Sequence, residues 1–219
     1  MSDSTTSRFQ RFLPWTGVLA GIALGAGAVL EGSEPSIEDD SAAKVVAYYH
    51  DHQGALFGSA ILGCLFAVFL LFYVTSLRAR LRSGEGGEGL YSAAAYAGGI
   101  LTAGSVAVWS WVTAAAQEAA KGGHTEATMA LGYLNDLGWM PWVVGTSVLM
   151  ISTGLGALRT AALPKWFGIA STVLGIAALL GPAGIVVFLI SPFYYVAGGV
   201  VLAQRRTAPA AAPLPAFAG

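Results

Sequence analysis

The sequence predicts an all-α fold, a polytopic bundle of six membrane-crossing helices with both termini on the cytoplasmic side. Three observations predict it. Charged residues make up 11% of the chain and hydrophobic ones 55%, whereas an ordinary soluble domain carries about 25% charged residues. Five stretches run free of Asp, Glu, Lys and Arg for the roughly 20 residues a helix needs to cross a bilayer. The cations between those stretches segregate to one side. Residues 1–11 then form a cytoplasmic N-terminal segment, 12–206 the six-helix domain, and 207–219 a disordered cytoplasmic tail rich in Ala and Pro.

The first stretch covers residues 12–30, between Arg11 and Glu31. It also carries the marks of a signal peptide: a basic lead, an apolar core and the triplet Ala26-Gly27-Ala28. Cleavage would leave five crossings and an outside N-terminus. The apolar run exceeds a usual signal core, so retention is expected. The next three stretches are 53–77, 89–117 and 137–158. The last, 166–204, is too long for one helix, and Gly181-Pro182-Ala183-Gly184 divides it. Crossing segments must be helical, because in lipid every backbone polar group needs an internal partner. Gly17, Gly21 and Gly25 form a stripe of small residues, as do Gly54 and Gly58, and Ser171 and Gly175. Such stripes let helices approach within one chain or, in a homo-oligomer, between copies. Pro192 removes a backbone hydrogen bond midway along the sixth helix, predicting a kink just before Tyr194 and Tyr195. Cys64, the single cysteine, reads as a small buried apolar residue.

Orientation follows from Lys and Arg. Arg8, Arg11, Arg78, Arg80, Arg82, Arg159, Lys165, Arg205 and Arg206 fall on one side of six crossings, and only Lys44 and Lys121 on the other. Positive residues stay inside. Asp3, Glu85 and Glu88 are the only acids on that inner side, so the outer surface is acidic. Trp15 and Trp166 mark the inner boundary, and Trp139 and Trp142 the outer one.

The first outer loop spans 31–52, where Ser36 or Ser41 can cap a short helix through Lys44 to Tyr49. The second also reads as helical, from Thr125 to Tyr133. Each runs into its next crossing through Tyr-x-(Asp/Asn)-x-x-Gly: Tyr49, Asp51 and Gly54, then Tyr133, Asn135 and Gly138. Glu31 and Glu118 precede them. This is a faint duplication of a helix–outer helix–helix unit in one orientation. Residues 83–89, Ser-Gly-Glu-Gly-Gly-Glu-Gly, read as a flexible linker.

The middle of the bundle lacks ionisable side chains other than Cys64, which lowers the case for an ion-driven pump. No nucleophile elbow, His-Glu-x-x-His or phosphate-binding glycine loop occurs, so an enzyme is disfavoured. Trp109, Thr113 and Gln117, four residues apart, share one helix face just before Glu118. With Asp51, Asn135 and Asp136 they are the candidate ligand-binding residues. The bland alternative is an interhelical hydrogen-bond strip, and it carries more weight. His50 and His52, with Glu31, form a weaker candidate metal site; neighbours two apart on one helix point away from each other. No cofactor is identified. The net charge of −1 argues against a nucleic-acid partner, which would want a basic face.

The segment Leu163-Pro164-Lys165-Trp166-Phe167-Gly168 resembles the Leu-Pro-(Lys/Arg)-Trp-x-Gly turn of a family of uncharacterised, mostly actinobacterial multi-pass membrane proteins carrying a domain of unknown function. Pro164 suits the start of a helix, where its missing N–H costs nothing. The resemblance implies a bacterial plasma-membrane location and no particular activity. The expected partners are the lipid bilayer and a small-molecule ligand or membrane-protein partner at the acidic outer face. A solute facilitator or channel, and a membrane-embedded metal-dependent enzyme, are the alternatives.

Overall fold

A computed structural model describes residues 11–206. The tail expected over 207–219, Asp3 and Arg8 lie outside them. The described residues form eight principal helices and no strand: α1 (Trp15–Glu31), α2 (Ala42–Asp51), α3 (Gln53–Glu85), α4 (Leu90–Lys121), α5 (Thr125–Asp136), α6 (Trp139–Thr160), α7 (Lys165–Ala178) and α8 (Pro182–Arg206). Four helical stretches are long and apolar enough to cross a membrane, while Trp15–Glu31 and Lys165–Ala178 are shorter apolar helices.

Neighbour relations close a ring. α1 packs on α3, α3 on α4, α4 on α6, α6 on α7, α7 on α8, and α8 back on α1. Small residues set the crossings, as close helix packing requires. A Cβ at Gly98 of α4 would lie 2.4 Å from the Leu149 nitrogen of α6, and one at Gly145 would lie 2.6 Å from the Thr102 nitrogen. Gly154 meets Thr172 and the Gly168 carbonyl in the same way, so the glycine that ends the Leu-Pro-Lys-Trp-Phe-Gly turn is a packing residue between α6 and α7. Gly175 faces Ile151, and Ser171 hydrogen-bonds Tyr194 at 3.2 Å. Gly54 and Gly58 depart from the expected stripe. Gly54 faces open space, and Gly58 meets only the Leu30 side chain.

The ring interior is aromatic. Tyr195 of α8 lies edge-on to Phe66 at 5.3 Å and to Tyr194 at 5.6 Å, and Tyr194 stacks on Phe167 at 5.3 Å. Phe188 meets Trp142 at 5.1 Å and Trp109 at 5.9 Å. Trp142 is therefore a core residue, only 1% exposed, and not the boundary tryptophan expected; Trp15, Trp139 and Trp166 are exposed. Cys64 is also corrected: it is exposed on the outward face of α3 and not buried, because the ring places Gly63 and Phe66 inward. Pro192 sits inside α8, with its ring against Gly25 of α1.

The two ends of the ring differ. At one, arginines tie loops to helices. Arg80 Nε donates to the Ala162 carbonyl at 3.1 Å and Arg205 to that of Ala161 at 3.3 Å. Arg78 and Arg159 lie over the rings of Tyr96 and Tyr91. Here the glycine-rich stretch is an ordered turn and not the flexible linker expected. α3 continues through Glu85, whose carboxylate accepts from the Ser92 backbone N–H at 2.6 Å and so caps α4. Gly86, Gly87 and Gly89 supply the positive φ that closes the turn. The other end is capped by α2 and α5, which share a small core of their own containing Ile37, Val45, Tyr49, Leu56 and Ala116.

Candidate functional site

The cap is organised around Glu34. Ser41 begins α2 by accepting from the Lys44 backbone N–H, and this sets the register that buries Val45, Tyr48 and Tyr49. Tyr48 donates its hydroxyl hydrogen to the Glu31 carbonyl at 2.7 Å. Tyr49 donates to the Glu34 carboxylate. Asn135, reaching over from α5, donates to both Glu34 oxygens at 3.0 and 3.3 Å. Its own oxygen accepts from Thr113 of α4 at 2.7 Å. One chain of bonds thus links the first loop, α2, α5 and α4. Burial raises the Glu34 carboxyl above its usual range and the Asp136 charge adds to this, against the opposing bonds from Tyr49 and Asn135. Burial, and then the Glu34 charge, keep the Tyr49 phenol protonated, which suits its role as donor.

Beneath this network lies a cavity of about 50 Å³ between α1, α3 and α4. α1 contributes Gly27, Ala28 and Glu31; α3 contributes Ser59 and Gly63; α4 contributes Trp109, Ser110 and Thr113; Phe188 of α8 adds an apolar wall. The space exists because the facing residues are small. A Cβ at Gly27 would have 3.6 Å to its nearest neighbour. Two of the lining residues carry a polar group without a partner among the described residues. The buried Trp109 Nε1 has no hydrogen-bond partner. The Glu31 carboxyl has no hydrogen-bond or ion-pair partner among the described residues. The Trp109 nitrogen is closed off from water-sized space, an unpaired burial that costs about 1–3 kcal/mol, whereas Glu31 is only partly buried. Glu31 stands one residue beyond the apolar run of the first predicted crossing. Burial, followed by the nearby Glu34 charge, raises its carboxyl to about 7.

The residues expected from sequence divide into three groups. Trp109 and Thr113 line the cavity, and Asn135 holds Thr113 from behind. Gln117 is buried and donates to the Gln53 carbonyl at 3.3 Å, an interhelical bond away from the cavity wall. Glu118, Asp51 and Asp136 are exposed. Glu118 pairs with Lys121 at 2.6 Å and Asp51 with His50 at 3.0 Å. The metal ligands suggested by sequence are not brought together. His52 turns Nδ1 to the Tyr48 carbonyl at 3.0 Å, Glu31 faces the cavity, and no group of three His, Cys, Asp or Glu able to hold a metal occurs among the described residues. Glu34, Ser59, Ser110 and Phe188 are site residues that sequence reasoning passed over. An acid in a long loop reads as solvated, and serines in an apolar run read as packing; nothing local marks either.

The two segments of the faint duplication, α1–α2–α3 and α4–α5–α6, each place a short helix of 10 or 12 residues between two longer ones. The side chains have diverged. Tyr49 is buried whereas Tyr133 is exposed, and Asp51 is exposed whereas Asn135 is buried. Comparison with known protein families, with curated proteins and with solved structures finds no match for this chain.

Proposed function

We propose that the chain is an integral membrane protein that binds a small molecule in the cavity beneath its α2–α5 cap, with that cap on the extracytoplasmic side. The observation that carries this reading is the meeting of Glu31, whose carboxyl has no partner among the described residues, with Ser59, Ser110 and Thr113 in the wall of one cavity. The wall is mostly apolar with these few polar groups, the usual make-up of a small-molecule site. Asn135 of the cap holds the Thr113 hydroxyl of the wall in place, and a group positioned in advance favours binding. The facilitator and metal-enzyme alternatives have no comparable convergence of side chains among the described residues.

The membrane reading rests on the apolar helices and the sorting of charge. Arg78, Arg80, Arg159 and Arg205 meet at the uncapped end, and the positive-inside tendency makes that end cytoplasmic. Both termini then lie inside, with six crossings, in a bacterial plasma membrane of the kind implied by the Leu-Pro-Lys-Trp-Phe-Gly turn. α7 is the element most open to test. Its 14 residues reach about 21 Å at 1.5 Å per residue, short of a hydrocarbon core of about 30 Å. A reporter fused after Arg206 should be active only in the cytoplasm; an exterior signal removes the six-crossing topology.

The binding reading is tested by a stabilisation screen of the purified full chain with amines, carboxylates, sugars and neutral solutes. Hits should vanish in Gly27→Leu, which fills the cavity. A screen without hits, or hits that survive that substitution, overturns it.

A further inference from the structure

Resting on the cavity reading above, we infer that the cavity receives a small primary ammonium group that also carries a hydroxyl or ester oxygen. Three observations lead there. The first is charge. Glu31 is the only ionisable residue in the cavity wall. The lysines at this end are already engaged, Lys44 with Asp40 and Lys121 with Glu118, both at 2.6 Å. The arginines Arg78, Arg80, Arg159 and Arg205 make their contacts at the far end of the ring. A carboxylate with no cation of its own, at an end rich in acids, attracts one from outside.

The second observation is the Ser59 hydroxyl, which belongs to the cavity wall and has no hydrogen-bond partner among the described residues. An ammonium can only donate, so an oxygen carried beside it gives this hydroxyl its acceptor. The third is size. About 50 Å³ is room for only a few water-sized groups. This admits a head of about four heavy atoms and is tight for a trimethylated ammonium. The same chemistry occurs in a free amino alcohol and in the head of an aminophospholipid.

The test uses the full chain in nanodiscs of phosphatidylglycerol or of phosphatidylethanolamine, with ethanolamine, ethylene glycol and glycolate as probes read by thermal unfolding. Ethanolamine should stabilise the protein in phosphatidylglycerol discs, with about tenfold weaker apparent affinity in Glu31→Gln and no effect in Gly27→Leu. A response in both disc types identifies the free amine as the guest. A response lost in phosphatidylethanolamine discs identifies the lipid head, already seated. Affinity should rise between about pH 6 and about pH 8, because the ammonium selects the ionised Glu31, a group near about 7. Glu34, Tyr48 and Tyr49 are the titratable groups coupled to it; both phenols stay neutral through that range. If Glu31→Gln fails to fold, the pH profile of the native chain still decides. A flat profile, or an unchanged ethanolamine response in Glu31→Gln, overturns the inference. Glycolate or ethylene glycol binding that disappears in Gly27→Leu, without any ethanolamine effect, overturns the ammonium while leaving the cavity reading intact.

Discussion

Helix α1 carries small residues along its length, and its two halves use them in opposite ways. Towards the uncapped end a Cβ at Gly21 would lie 2.3 Å from the Pro192 carbonyl oxygen, and one at Gly17 would lie 2.6 Å from the Tyr73 ring and 3.0 Å from the Gly199 Cα. There the missing side chains let α8 and α3 close on α1. Towards the cap the nearest neighbours of a Cβ at Gly27 stand at 3.6 Å and beyond, and the space is left open. A small residue creates room; the element opposite decides whether backbone fills it. In one half the product is a tight crossing, and in the other a cavity with an acid at its mouth.

Substitution by alanine breaks or sharpens this contrast most strongly. Gly21→Ala should destabilise by about 3 kcal/mol, because the clash is with backbone and cannot be relieved by a side-chain rotation. Gly27→Ala should leave stability unchanged or raise it by about 0.5 kcal/mol, since a helical glycine costs entropy and the methyl has room. Equilibrium unfolding in mixed micelles measures both; equal losses would erase the distinction between the halves.

The cap network comes next in size. Glu34→Ala leaves the Tyr49 hydroxyl and the Asn135 amide without their acceptor and should cost about 2 kcal/mol. Glu34→Gln keeps an acceptor oxygen and should cost less. Its effect should also depend on pH. The folded Glu34 holds its proton above the ordinary value of 4.5, so the folded state binds more protons than the unfolded one in the window above 4.5. Stability is therefore highest on the acid side and falls as pH climbs through that window. Glu31 adds to the same slope up to about 7. Thermal unfolding against pH should show a shallower fall in Glu34→Gln, and an unchanged slope would remove Glu34 from the account.

The smallest effect belongs to the residue that looked most interesting in the sequence. Glu118 is solvated and paired only with Lys121, so Glu118→Ala should shift stability by less than about 0.5 kcal/mol and leave ethanolamine binding unchanged. A large effect on either would mean that the cap, and not the cavity beneath it, is the binding surface.

The Trp109–Thr113–Gln117 stripe shows how far a helical period reaches. Spacing correctly put three polar or amphipathic residues on one face, yet their partners come from different elements: the cavity, Asn135 of α5 and the Gln53 carbonyl of α3. Glu34 shows the opposite case. Nothing in its neighbourhood along the chain distinguishes it from Glu38 or Asp39, which are exposed. Only the folding of α2 and α5 over it turns a loop acid into a partly buried acceptor.

What the amino-acid order alone determined is where the chain is helical and how its charges sort along it. These are local properties, set by apolar run length, Gly and Pro punctuation, and the spacing of Lys and Arg. The division of 166–204 into α7 and α8, with Gly181 at φ 57°, follows from them. Tertiary structure alone decided which small residues became crossings and which became a cavity, which tryptophan went inward, and which carboxylates lost their water. Each of those depends on the group that arrives opposite, from a helix distant in the chain, and hydrophobic period carries no record of it.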